Sequence, residues 1–250
     1  MKSAYLLVDI ASVVFPLAFT LSARFGFGAD WKKAGAAVCL SAIPFVAWDI
    51  GFTRAGVWGF NPDFFLGPSL FGLPLEEYLF FLAIPYSCLF IYGQLRRLSA
   101  LSEHRFVRRN EDRLAFAWWI LAMGLLLTAV LNPDRLYTVS VCLLGAVAAA
   151  ILSISKPRYS AILMAAVAVQ FLPFLVVNGI LTSLPVVIYD PVAILGPRLG
   201  SIPVEDAIYS FVLLALPVAL FEALASRAKE AASDSMFRKN PASSGELRAW

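Results

Sequence analysis

Two short acidic motifs are the part of this sequence best suited to chemistry. Segments 74–77 and 203–206 both read Pro-x-Glu-(Glu/Asp), and their acids are Glu76, Glu77, Glu205 and Asp206. A proline at the start of a helix followed by carboxylates in the first turn is also an ordinary capping arrangement. Capping does not require two adjacent acids, however, and neighbouring helical residues point about 100° apart. One acid of each pair can therefore face a bundle interior while the other acts as a cap or partner.

A carboxyl group in an apolar cavity is suited to proton donation. Burial raises the pKa of a carboxyl group, and a second carboxyl nearby raises it further. The resulting neutral acid can protonate an alkene, and aromatic faces stabilise the cation by ~0.5–2 kcal/mol each. For each single ring, packing or an interfacial belt is the alternative role. The candidate rings are Trp48, Trp58, Phe60, Phe64, Phe65, Phe80, Phe81, Tyr189 and Tyr209.

Other polar residues stand at the ends of apolar runs. Asp49 and Asn178 close the second and sixth runs. Asp49 is a second acid or base, orients Glu76, pairs with Arg54, or makes a local hydrogen bond at the helix end. Glu222 is expected to face solvent or headgroups. The single histidine, His104, falls in a basic loop and is not expected to be catalytic.

The composition predicts an all-α integral membrane protein. Of 250 residues, 60% are hydrophobic and 15% charged, with a mean hydropathy of +0.77, whereas soluble domains carry about 25% charged residues. Membrane helices need ~20 mainly apolar residues, and no run shows the period-2 alternation of a barrel strand. The seven predicted spans are Tyr5–Ser22, Gly35–Gly51, Leu75–Leu95, Leu114–Leu131, Leu136–Ile154, Ala161–Ile180 and Val204–Leu224.

The distribution of Lys and Arg predicts the orientation. Most of the basic residues follow the first, third, fifth and seventh runs, so the N-terminus is expected outside and the C-terminus in the cytoplasm of the cell. The basic loop between runs three and four then serves as a topology anchor and requires no nucleic acid. The first run is expected to be a retained helix, and the polar tail 227–250 is expected to be disordered.

The sequence repeats itself at one fixed offset, with no gap. Pro44-Phe45 recurs as Pro173-Phe174, Gly67-Pro68 as Gly196-Pro197, and the acidic motif 74–77 as 203–206. An offset of four spans predicts two parallel repeats related by an axis along the membrane normal. We therefore divide a single membrane domain, 1–226, into repeat 4–96, connector 97–132 and repeat 133–226.

The two motifs resemble a known family signature. Segment 74–81, Pro-x-Glu-Glu-x-x-Phe-Phe, resembles the P-x-E-(E/D)-x-x-F-(F) signature of the lycopene cyclase domain family, and segment 203–210 resembles it except at Tyr209 and Ser210. That family comprises membrane-embedded carotenoid cyclases of bacteria and archaea and the cyclase part of fungal bifunctional enzymes. The resemblance covers about residues 4–226 and is to the fused, two-repeat form.

The resemblance implies a proton-initiated, redox-neutral cyclisation of the linear end groups of lycopene to ionone rings, with β rings expected. It implies acid and base roles for Glu76 and Glu205, with Glu77 and Asp206 beside them and Asp49 nearby. The expected substrate contacts are Phe80, Phe81, Tyr209, Trp58, Phe60, Tyr189 and Asn178. No cofactor or metal is expected. The expected partners are a carotenoid within the bilayer and membrane lipid, with a second copy or other carotenoid enzymes as candidates.

Two alternatives stay open at this point. A related enzyme would protonate the same alkene and capture the cation with water or a prenyl unit. A transporter or carotenoid-binding protein would also suit seven helices with internal repeats, although the acids lie near helix starts and no broken helix is evident.

Overall fold

The computed structural model describes residues 2–20, 27–102 and 111–239, which form seven long helices. Six of them are long and apolar enough to cross a membrane, and α1 is a shorter apolar helix of 17 residues. The chain is therefore a multi-pass membrane protein. The helices are α1 Ala4–Thr20, α2 Trp31–Arg54, α3 Leu75–Ser102, α4 Glu111–Leu131, α5 Leu136–Ser155, α6 Ser160–Ser183 and α7 Val204–Lys239, with a 3₁₀ turn at Gly28–Asp30 before α2.

The polar tail differs from the prediction over residues 227–239. Instead of being disordered from Arg227 onward, the chain continues α7 to Lys239. This stretch is rich in Ala, Lys, Arg and Glu, which are strong helix formers, so an existing helix propagates through it at little cost. Residues 240–250 lie outside the described part of the chain, as do residues 103–110 of the basic loop with His104.

The two long loops contain short strands that the sequence analysis did not predict. Strands β1 and β4 pair with each other between the loops, whereas β2–β3 and β5–β6 are hairpins with two-residue turns. Near a bilayer, unpaired backbone groups are costly, and this pairing satisfies them. The strands are β1 Trp58–Phe60, β2 Ser69–Leu70, β3 Leu73–Pro74, β4 Val187–Tyr189, β5 Arg198–Leu199 and β6 Ile202–Pro203.

The backbone hydrogen bonds of the loops recur at the same offset as the sequence motifs. The Asn61 N–H donates to the Val186 carbonyl and the Asp190 N–H donates to the Val57 carbonyl, both at 2.9 Å. The Leu75 N–H bonds to the Pro68 carbonyl, and the equivalent Val204 N–H to that of Pro197, both at 3.2 Å. Each strand of the first loop likewise has a counterpart at this offset in the second. The loops are thus two copies of one local structure.

The helices pack so that both loops lie over one interior. Helix α1 packs on α3, α2 and α5 pack on α7, and α4 packs on α5. Gly145 of α5 permits a close approach, because a Cβ there would lie 2.8 Å from Ile208 and 2.9 Å from Leu125. The acidic motifs lie in the first turns of α3 and α7, directly below the loops.

Glu222 does not face solvent or headgroups as predicted. It lies on α7 with its carboxylate 3.2 Å from the Arg96 Nε, and it accepts a hydrogen bond of 2.7 Å from the Tyr92 hydroxyl. Both partners belong to α3, and Arg96 also lies over the ring of Phe221. The prediction was wrong because the comparison of the two repeats asked only whether Glu222 has an acidic residue at the matching position. Its partner is instead a basic residue of the neighbouring helix.

Candidate active site

A cavity of about 790 Å³ lies beneath the two loops and between α1, α3, α6 and α7. Its volume is within the range of small-molecule sites. The carboxyl groups on its wall are Asp49, Glu77 and Asp206, so acids from both motifs meet in one space. No Lys or Arg lines the cavity among the described residues. The site is therefore apolar with a carboxyl cluster at one end.

The first carboxyl group, Glu77, sits beside a second carboxyl. Glu77 and Asp49 are both buried on the same cavity wall and lie within electrostatic range of each other, and the Tyr5 hydroxyl donates to Glu77 Oε2. Asp49 Oδ1 accepts from the Trp58 indole N–H at 2.5 Å and from the Thr53 hydroxyl at 3.4 Å. Two neighbouring carboxyl groups repel each other when both are ionised, so burial of the pair disfavours two negative charges. This half of the site is therefore suited to holding a proton.

The second carboxyl group, Asp206, is surrounded by donors instead. The Tyr137 hydroxyl donates to Oδ1 at 2.7 Å. The Asn178 amide and the Tyr189 hydroxyl donate to Oδ2 at 2.7 Å and 2.8 Å. Loss of water around the Tyr189 hydroxyl, and then the charge of Asp206, raise the pKa of Tyr189 well above its ordinary value, so it stays a donor. Three donors suit a carboxylate that accepts a proton.

The other acid of each pair points away from the cavity. Glu76 Oε1 accepts from the Leu66 backbone N–H at 2.7 Å. At the matching position, Glu205 Oε1 accepts from the Leu195 N–H and the Thr138 hydroxyl, both at 2.5 Å. Neither Glu76 nor Glu205 lines the cavity. Both hold a loop against the start of a helix, which is the partner role that the sequence analysis allowed for one acid of each pair.

The aromatic residues predicted to contact substrate all lie on the cavity wall. The wall includes Trp58, Phe60, Phe80, Phe81, Tyr189 and Tyr209, together with Asn178. Tyr209 packs against Trp48 and Phe45, with ring centroids 5.2 Å and 5.6 Å away. Trp48, Phe64 and Phe65 do not line the cavity and pack behind it. The carboxyl cluster thus faces several ring surfaces that suit a developing cation.

Two tyrosines of the site were missed by the sequence analysis. Tyr5 and Tyr137 make equivalent contacts, because each hydroxyl donates to the second acid of a motif. Their backbone N–H groups also bond to equivalent carbonyls, of Phe64 at 3.1 Å and Ala193 at 3.0 Å. The spacing between these tyrosines is slightly longer than the offset that relates the motifs, so a comparison at that fixed offset does not align them. Allowing a small shift before the first matched motif would have found them.

Asp9 is a further buried acid that the sequence analysis did not single out. It lies on α1, is fully buried, and neither carboxyl oxygen has a hydrogen-bond partner among the described residues. It lies within electrostatic range of Glu76. The spacing that relates Tyr5 to Tyr137 places Val141 at the equivalent position, so the second half has no such acid. Among the described residues, no group of three His, Cys, Asp or Glu side chains is placed to hold a metal ion.

The cavity continues away from the acids along an apolar path. Its wall on α3 extends from Glu77 to Ile91, a distance of roughly 21 Å at about 1.5 Å per residue. Side chains of α1, α6 and α7 form the rest of this part of the wall. A long, lipophilic molecule with one end at the acids would fit this shape.

The family model described as lycopene cyclase matches residues 2–95 and 134–224, well over half of the chain. The chain belongs to the lycopene cyclase family. In this lycopene cyclase family member the first matched block contains α1, α2 and α3 as far as residue 95, and the second contains α5, α6 and α7 as far as residue 224. Both acidic motifs are matched, and α4 lies in the unmatched segment between the blocks.

Three fungal proteins named bifunctional lycopene cyclase/phytoene synthase are similar to this family member. The protein of Aspergillus oryzae is 28% identical over 107 residues, covering 42% of this chain and 18% of that protein. The protein of Podospora anserina is 23% identical over 124 residues, covering 50% and 20%. The protein of Pyrenophora tritici-repentis is 30% identical over 93 residues, covering 37% and 16%. The match thus spans at most a fifth of each relative. No solved structure matches the chain.

Proposed function

We propose that this protein is a membrane-embedded lycopene cyclase that converts the linear end groups of lycopene to ionone rings, with the β ring expected. The observation that carries the proposal is the meeting of Glu77 and Asp206, one from each motif, at one end of an apolar, aromatic-lined cavity. The names of the fungal relatives support the same reaction class.

The reaction needs only the transfer of protons. An acid adds a proton to the terminal double bond of the end group, and the neighbouring double bond attacks the resulting cation to close the ring. A base then removes a proton from the ring and leaves a double bond there. No electrons are gained or lost, and the proton added equals the proton removed. General acid and base catalysis of this kind contributes ~10²–10⁴-fold each.

The positions of the acids limit which of them could contact a substrate in the cavity. Glu77, Asp49 and Asp206 are on the cavity wall, whereas Glu76 and Glu205 are bound to loop backbone. We therefore assign proton transfer to Glu77, Asp49 and Asp206, and loop positioning to Glu76 and Glu205. The rings of Phe80, Phe81, Tyr209 and Trp58 would stabilise the cation.

We also propose that α1–α3 and α5–α7 are parallel repeats, that all seven helices span the membrane, and that the N-terminus is outside. In the β1–β4 pair, Gly59 lies opposite Ile188, which is its own counterpart at the repeat offset. Trp58 lies opposite Tyr189, and Phe60 opposite Val187. A two-fold axis between Gly59 and Ile188 produces this register, which supports repeats related by an axis along the membrane normal.

Expression in a lycopene-accumulating bacterial host, followed by chromatography of the extracted pigments, tests the reaction. Replacement of lycopene by monocyclic or bicyclic carotenoids is the expected result, and retention times identify the ring. Hydroxylated or prenylated products would instead assign the related enzyme class. Unchanged lycopene, with the protein shown to be in the membrane, would contradict the proposed function.

A further inference from the structure

The two halves of the site differ at one equivalent position. Asp49 and Asn178 are counterparts at the repeat offset, and each stands beside the second acid of its own half. Asp49 is buried with Glu77 on the same cavity wall, within electrostatic range of it. Asn178 donates its amide N–H to Asp206 at 2.7 Å. The same place in the fold therefore presents an acid to one carboxyl group and a donor to the other.

The first half also buries more carboxyl groups than the second. Asp9, Asp49, Glu76 and Glu77 are all buried there, whereas the second half buries only Glu205 and Asp206 among the described residues. No ion pair of the described residues involves any of these acids. Uncompensated buried charges are very costly, so ionising all of these carboxyl groups at once is disfavoured. The first half is thus the better placed of the two to supply a proton.

From these contacts we infer that the Glu77–Asp49 pair is the proton donor and that Asp206 is the base. The inference deepens the proposed function and rests on it. One end group is served by both halves of the chain: the first half protonates the terminal double bond, and the second removes the ring proton. The proton then on Asp206 exchanges with water, and the Glu77–Asp49 pair takes up another, so that each turnover balances.

Tyr5 and Tyr137 are positioning residues in this scheme. Each donates to the second acid of its half, so the tyrosine alone does not decide which half is acidic. The difference arises from the remaining neighbours, which are a carboxyl group beside Glu77 and two further donors, Asn178 and Tyr189, beside Asp206.

Deuterium incorporation separates the two roles. Membranes that contain the protein and lycopene are incubated in deuterated buffer, and the pigments are analysed by mass spectrometry. The wild-type protein is expected to place one deuterium in each ring that it forms. Asp206→Asn is expected to lose at least ~100-fold in ring formation but still to protonate the substrate reversibly, so that recovered lycopene gains deuterium. Glu77→Gln is expected to give neither rings nor deuterated lycopene.

Asn178→Asp is a second test with nearly unchanged side-chain volume. It places a carboxyl group against Asp206, as Asp49 stands against Glu77, and is expected to reproduce the Asp206→Asn pattern. It also covers the case in which Asp206→Asn fails to reach the membrane. Deuterated lycopene from Glu77→Gln but not from Asp206→Asn or Asn178→Asp would overturn the assignment, and so would the same exchange in all variants. Absence of rings from the wild-type protein would refute the proposed function itself, which is a distinguishable result.

Discussion

Glu76 and Glu77 are adjacent, yet the structure gives them different tasks, and the same substitution in each tests the difference. In Glu76→Gln, the amide oxygen can still accept the Leu66 N–H that Glu76 Oε1 accepts at 2.7 Å. Hydrogen bonds to charged groups contribute ~1.5–3 kcal/mol and neutral ones ~0.5–1.5 kcal/mol. We therefore expect a loss of about 1 kcal/mol in the free energy of unfolding and, at most, about a fivefold loss of cyclisation rate.

Glu77→Gln removes the proposed proton donor from the cavity wall and leaves the shape of the wall nearly unchanged. Loss of a general acid corresponds to ~10²–10⁴-fold in rate, so the adjacent substitutions should differ by at least one order of magnitude. The assay is the initial rate of ring formation from lycopene in isolated membranes, at equal amounts of inserted protein. The second motif supplies a matched pair, because Glu205→Gln should resemble Glu76→Gln and Asp206→Asn should resemble Glu77→Gln.

Equal loss of activity in Glu76→Gln and Glu77→Gln, with both proteins inserted and equally stable, would refute this reasoning. An inactive Glu76→Gln variant beside an active Glu77→Gln variant would show that the cavity-facing acid has been misassigned. Tyr92→Phe is a suitable control, since its hydroxyl binds Glu222 between α3 and α7 outside the cavity wall and its loss should leave the rate of ring formation unchanged.

Three further predictions concern stability. Asp9→Val removes a buried carboxyl group that has no hydrogen-bond partner among the described residues. The free energy of unfolding, measured by denaturation in detergent, should therefore rise by ~1–3 kcal/mol. A destabilised variant would contradict the absence of a partner. Gly145→Ala should lower the free energy of unfolding by ~1–3 kcal/mol through overpacking. Gly124→Ala is the control, because the space around Gly124 is open and no such loss is expected. Equal thermal unfolding midpoints for the two variants would contradict the close packing at Gly145. Glu222→Gln should lower stability by about 1 kcal/mol through loss of its ion pair with Arg96, while ring formation stays at the wild-type rate; a large loss of activity would place this contact in the mechanism.

The helices could be predicted from the sequence because each is a run of about 20 apolar residues. Such a run is a local signal that does not depend on tertiary contacts. The strands could not, since such short segments carry no usable period and β1 pairs with a strand in the other half of the chain. Helical spacing indicated that one acid of each pair would face the interior. Which acid does so depends on the Leu66 and Leu195 backbone N–H groups, and their positions are set by loop folds that local patterns do not encode.

Asp9 and the two tyrosines show a second limit. The sequence alone does not distinguish a buried Asp in the apolar run of α1 from one at a helix end. Only the packing in the structure reveals that both oxygens of Asp9 lack partners among the described residues. Tyr5 and Tyr137 are equivalent only after a small shift from the repeat offset, because α1 and α5 begin at different distances from the motifs. A search limited to one offset aligns α2 with α6 and the loops with each other, but it fails to align α1 with α5.

If the two proposed repeats share one active site, that site must break their symmetry to transfer a proton in one direction. If both halves were identical, Glu77 and Asp206 would have the same surroundings and the same tendency to hold a proton, so neither would act preferentially as donor or acceptor. The structure retains the shared parts, namely the tyrosine donors and the loop contacts of Glu76 and Glu205. It differs where a difference is required, with Asp49 in the place that Asn178 takes in the other half. Exchanging only these two side chains should therefore reverse or abolish the direction of proton transfer while leaving the fold in place.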